Sequence, residues 1–154
     1  WFSDPLFAGK WGYFYLKDSP FDWQTVNDLQ NLRIGATANY YYGHDFEEAE
    51  KAGLISVRRA SREVLNFRML LKGRIHIFAH EFLSGYSILS KEFTQAEISR
   101  ITHHKKISHT NNYHLIFAKT EQNKTRLVKF NRGLERLRQS GKLRQYIKDV
   151  VKDD

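Results

Sequence analysis

Thr37 and Ala38 follow an apolar run at 32–36 and precede a helix-patterned stretch, which puts them at the carboxyl edge of a sheet. Ligands of open α/β sheets bind at that edge, and N–H groups at a helix start attract anions. A ligand carboxylate could dock there with help from the Thr37 hydroxyl. Equally, Thr37 could simply cap the helix, because both roles use the same geometry. Tyr40, Tyr41 and Tyr42 come next, with one ring, Tyr40, available to stack on a ligand while the others pack. Glu81 opens a further helix-patterned stretch, where an acid favours the helix dipole. His80, just before it, ends a strand and would line the same edge. His76 lies four residues earlier; four strand residues span about 13 Å, too far for two ligands of one metal. His76 therefore reads as a structural histidine. His103, His104 and His109 have no accompanying carboxylate pattern, so no metal is expected. No nucleophile–base–acid set, P-loop or nucleophile elbow is present. Zero cysteines exclude thiol catalysis, disulfides and cysteine-based zinc sites. No catalytic residue and no cofactor are expected.

The elements that must position these residues alternate. Strands are expected at 12–16, 32–36, 54–58, 74–79, 101–107 and 113–119. Asp18, Ser19 and Pro20 turn the chain, and residues 25–29 form one helical turn. Helices are expected at 43–51, from a Ser61 cap to Gly73, at 81–90, at 94–99 behind a Thr94 cap, at 124–139 and at 142–151. Gly53 is expected just past the end of its helix. Val64, Phe67, Leu70 and Leu71 recur on one helix face, as do Leu127, Phe130, Leu134 and Leu137. Such alternation argues for a largely parallel α/β sheet with helices on both faces.

The chain has 154 residues, 41% hydrophobic and 27% charged, which is a globular composition. No apolar run is long enough to span a bilayer as a helix. A formal charge of +8 raises nucleic acid as a partner. The positive residues are scattered, however, and no helix-turn-helix, RNP-like or zinc-finger motif accompanies them. The basic stretch 124–144 alternates with Leu and Phe as a solvated helix face does. A basic interaction module is the third reading, and no nucleic acid is expected.

Six phrases in order carry a resemblance. Phe2, Ser3, Asp4, Pro5 and Leu6 match "F-S-D-P-L/Y", and Tyr13 to Lys17 match a crossing strand ending in Lys. Asp28, Leu29, Leu32, Ile34 and Gly35 match "D-L-x-x-L-x-I-G". Leu70, Leu71, Gly73, Arg74 and Ile75 match "L-L-x-G-R-I-D", with His76 in place of the usual Asp. Tyr113 to Lys119 match the return crossing "Y-x-L-x-F-x-K". Asn131, Leu134, Leu137, Ser140 and Gly141 match the closing phrase. Over nearly its whole length the chain resembles the type II periplasmic solute-binding proteins of the extracellular family 3, which feed amino-acid transporters.

The resemblance implies a two-lobed parent. Residues 1–19 would be the end of lobe 1 and the first hinge crossing, 20–112 lobe 2, and 113–154 the second crossing and the returning helices of lobe 1. The main sheet of lobe 1, with the family's carboxylate-binding Arg, is expected to be missing. Glu81 falls where the family places an acid that accepts the ligand ammonium. The implied ligand is an amino acid or related zwitterion, held at Thr37, Ala38, Tyr40, His80 and Glu81. The implied partner is the permease of an ABC-type transporter, and the implied compartment the periplasm, although this chain carries no signal peptide. A dehydratase-like enzyme of the same fold, or a sensor domain, is the alternative. Trp1, Phe2 and the 127–137 stripe should lack their covering sheet, so self-association or segment exchange is expected.

Overall fold

The computed structural model describes residues 1–150, which divide into two compact units: Lys10–His109, and Trp1–Gly9 with the residues from Thr110 on. The larger unit holds a sheet in the order β3-β2-β4-β1-β5, made of β1 (Phe7–Leu16), β2 (Arg33–Thr37), β3 (Ser56–Ala60), β4 (Ile77–Glu81) and β5 (Ile101–His103). β2 runs parallel to both β3 and β4. β1 is antiparallel to β4, placing Trp11 opposite Glu81 and Gly12 opposite His80, and antiparallel to β5. Four of these five strands therefore run the same way, as a largely parallel sheet should, and β1 alone is inserted antiparallel, between β4 and β5. Crossover helices join β2 to β3, β3 to β4 and β4 to β5, the connection that strands running the same way require. β1 enters before the first such unit, so alternation of elements does not set its direction.

Three helices cover this sheet: α1 (His44–Lys51), α2 (Glu63–Leu71) and α3 (Phe82–Glu92); a 3₁₀ turn spans Val26–Leu29 and α4 is short (Gln95–Ile98). One face buries Trp11, Tyr13, Ile34, Ala36, Ile77 and Ala79 against Trp23, Leu29, Tyr42 and Phe46. The other buries Phe14, Leu16 and Phe78 against Phe67, Leu70, Phe82 and Leu89. Residues of opposite parity on β1 and β4 thus feed different cores, as a period of two requires. Asn66, completely buried, interrupts the apolar run of α2.

β3 and β4 start two or three residues later than periodicity suggests, for one shared reason. Gly53 and Gly73 both take positive φ past their helices. The next N–H reaches back over the helix end, Leu54 to Ala49 O and Arg74 to Met69 O, each at 2.9 Å. These Schellman closures consume residues that a strand would otherwise use. At α2 the cap is Arg62 rather than Ser61, and its side chain makes no capping bond. The strand expected at 101–107 stops at His103, because the chain turns where Lys106 N–H donates to His104 Nδ1 at 3.1 Å. Thr94 does cap α4, in a reciprocal box with Glu97.

In the smaller unit the strand expected at 113–119 is displaced. β6 (His109–Tyr113) pairs with β1, and beyond it only an isolated bridge joins Phe2 to Ile116. Pro5 has no N–H, so the ladder between the Ser3–Leu115 and Leu6–Tyr113 bonds is interrupted. α5 (Glu121–Gln139) and α6 (Lys142–Val150) follow, separated by Gly141 at φ +74°. Residue 151, the expected end of α6, lies outside the described residues. On α5, Leu134 is buried while Leu127, Phe130 and Leu137 are half-buried; Phe2 and Ile116 remain 67% and 72% exposed.

Candidate ligand-binding site

The carboxyl ends of β2, β3 and β4 bring Thr37, Ala60 and Glu81 to one edge of the larger unit. Thr37 is buried and caps no helix, since α1 begins only at His44. Its N–H donates to Tyr42 Oη at 2.6 Å, and its hydroxyl lies 3.4 Å from Asn66 Nδ2. Ala38 N–H donates to Ala60 O at 2.8 Å. Both backbone donors singled out in the sequence therefore already have protein acceptors. Asn66 Nδ2 also donates to Ala36 O at 2.9 Å, tying α2 to the end of β2.

Arg59, on β3, locks the loop that follows β2. Its guanidinium bonds Glu50 and Glu47, donates to Tyr40 O at 3.0 Å, and lies 5.4 Å from the centre of the Tyr42 ring. The hydrogen bonds it donates to Glu50 hold its pKa above the usual arginine value, against the effect of burial. Burial raises the Tyr42 phenol, against the bond from Thr37.

Tyr40 is 39% exposed and donates its hydroxyl to Glu63 Oε1 at 2.5 Å. That bond comes first among the causes holding Glu63 below its usual pKa. The Tyr40 and Phe78 rings both stack on the His80 imidazole, at 6.3 Å and 5.0 Å between centroids. Trp11 meets His80 edge-on at 5.9 Å and stacks on His109 at 5.5 Å. His80 is 1% exposed, and neither ring nitrogen has a hydrogen-bond partner. Burial lowers its pKa to about 4, with the Glu63 carboxylate opposing the shift.

Glu81 is buried at the end of β4 and caps α3. One carboxylate oxygen accepts from Leu83 N–H at 3.0 Å, the other from Ser84 N–H at 2.7 Å. An ionised carboxylate offers about four lone-pair sites, so each oxygen can accept another donor. His76 sits away from this edge, its Nδ1 accepting from Arg33 N–H at 2.9 Å. Among the described residues no group of three or more His, Asp or Glu is placed to hold a metal ion.

The expected residues Thr37, Ala38, Tyr40, His80 and Glu81 thus gather at one sheet edge. Sequence reasoning missed Trp11, Arg59, Glu63 and Asn66. Two local signals were available: Asn66 is the one uncharged polar residue in the run 64–71, and Glu63 is an acid in a first helical turn. Trp11 becomes a neighbour only through the antiparallel register of β1 on β4.

No protein-family profile matches the sequence, and no curated protein matches it. Solved structures do. A mutant of ArgBP from T. maritima aligns over 99% of this chain at 23% identity, with a TM-score of 0.70. The GLUR0 ligand binding core in complex with L-glutamate aligns over 96% at 12% identity and TM-score 0.71. The amino acid ABC transporter substrate-binding protein AbpA from Streptococcus pneumoniae, bound to L-arginine, aligns over 98% at 18% identity and TM-score 0.66. The alignments cover 62%, 62% and 60% of those proteins' own lengths. The described residues carry the type II periplasmic solute-binding fold, over somewhat less than two thirds of its usual extent.

Proposed function

We propose that this chain is part of a solute-binding protein for an amino acid or related zwitterion. Glu81 carries the reading: a buried carboxylate at the carboxyl edge of the sheet, held by two backbone donors and able to accept more. It would receive the ligand ammonium through charge-assisted hydrogen bonds, with the Tyr40 ring beside it. Residues 20–112 would serve as lobe 2, and the smaller unit as the returning part of lobe 1. Delivery to an ABC-type permease from the periplasm completes the proposal, and the solved neighbour described as an amino acid ABC transporter substrate-binding protein supports it.

The test is calorimetric titration with a panel of amino acids and small carboxylates, on this chain and on a version extended upstream. Glu81→Ala should weaken binding by roughly 10- to 100-fold, the loss expected for a hydrogen bond to a charged group. Thr37→Val should weaken it less. Silence across the panel from both folded proteins would defeat the reading.

A further inference from the structure

We infer that Trp11 and His80 form a subsite that reads an uncharged carboxamide on the ligand side chain. The inference rests on the amino-acid-binding reading and names the ligand class within it. Few buried polar atoms among the described residues lack partners: Trp11 Nε1, Trp23 Nε1, Asn66 Oδ1, both nitrogens of His80 and His109 Nε2. Those of Trp11, His80 and His109 belong to one aromatic cluster, with Trp11 in contact with both imidazoles. Buried polar groups are normally paired, so unpaired ones gathered beside a sheet's ligand edge point to a partner from outside the chain. The register places Trp11 directly opposite Glu81 and His80 next to it, so this cluster adjoins the proposed ammonium partner. Of the two rings stacked on His80, Phe78 is buried whereas Tyr40 reaches solvent, so displacing the Tyr40 ring opens the way in.

Donor and acceptor counting selects the ligand. The indole N–H is only a donor, and the neutral imidazole keeps one donor and one acceptor nitrogen. A guanidinium has no acceptor for the indole. A carboxylate could accept from both N–H donors but would leave the unprotonated imidazole nitrogen unpaired and place a second negative charge near Glu63. A carboxamide supplies an oxygen for Trp11 Nε1–H and an N–H for the unprotonated nitrogen of His80.

The test titrates the chain and its upstream-extended version with L-glutamine, L-glutamate, L-arginine and L-methionine, for wild type, Trp11→Phe and His80→Phe, with melting curves to establish folding. Glutamine should bind at least about tenfold more tightly than the other three, because a site built to pair polar groups rejects analogues lacking them. Both variants should erase that preference. Preference for another amino acid, untouched by the variants, overturns the inference and leaves the amino-acid reading standing. Failure of all four ligands overturns the inference along with that reading. Should the variants not fold, imidazole nitrogen resonances of wild type decide: a His80 signal unmoved by saturating glutamine overturns the inference, and a shift produced by glutamine but not methionine supports it.

Discussion

At the scale of residues, two buried polar side chains carry most of the consequence. His80 is held neutral in the fold with a pKa near 4, whereas the unfolded chain titrates near 6.5. The unfolded state therefore takes up a proton first as pH falls. The stability that His80 allows is full above pH 6.5 and declines down to about pH 4, where the native state is protonated too; the loss amounts to about 3 kcal/mol. Chemical denaturation at a series of pH values should show this decline, and His80→Phe should flatten it. Burial also lowers the pKa of His103 and His109, so a smaller slope of the same sign should persist in that variant. Asn66 acts differently, since its amide is the clasp between α2 and Ala36. Asn66→Ala should cost about 2–4 kcal/mol, from a cavity plus an unpaired buried carbonyl. Urea unfolding measures it.

At the scale of elements, close approach decides what helix propensity alone cannot. A Cβ on Gly85 in α3 would lie 2.4 Å from Phe14 Cζ, while one on Gly133 in α5 would meet nothing within 4 Å. Alanine is the better helix former by about 1 kcal/mol, so both substitutions would be favourable in an isolated helix. Within the fold they should part. Gly133→Ala should stabilise by roughly 0.5–1 kcal/mol, and Gly85→Ala should destabilise by about 1–3 kcal/mol through overpacking against β1. Paired denaturation curves for the two variants check the difference in sign. The elements themselves were legible. Apolar recurrence marked α2 and α5, glycines marked the ends of α1 and α2, and Thr94 marked the start of α4. Boundaries slipped where tertiary or capping bonds took residues away from a strand, as at Leu54, Arg74 and His104.

At the scale of the whole molecule, the two units differ in how they bury apolar surface. The larger unit places both cores around its own sheet. The smaller unit leaves Phe2, Ile116 and Val128 exposed. Exposed apolar surface of this kind favours association. We expect sedimentation velocity to show concentration-dependent self-association, reduced by Phe2→Ser together with Ile116→Ser. A strict monomer at all concentrations would count against that expectation. Native-state hydrogen exchange should find the slowest amides in β2 and β4, which lie inside the sheet between paired neighbours.

The sequence by itself determined the order and type of nearly every element, the fold they build, and the candidates Thr37, Ala38, Tyr40, His80 and Glu81. The elements and the candidates Thr37, Ala38, Tyr40 and His80 depend on periodicity and local chemistry, which act over a few residues, whereas the specific fold and the ligand role of Glu81 followed from the family resemblance of the ordered phrases. Tertiary structure alone decided the antiparallel insertion of β1, and with it the juxtaposition of Trp11 with Glu81 and His80. It also decided the engagement of the Thr37 and Ala38 amides, and the Asn66 clasp across 30 residues. Strand register and side-chain pairing between distant segments are set by which surfaces bury best together, and no local stretch of sequence encodes that.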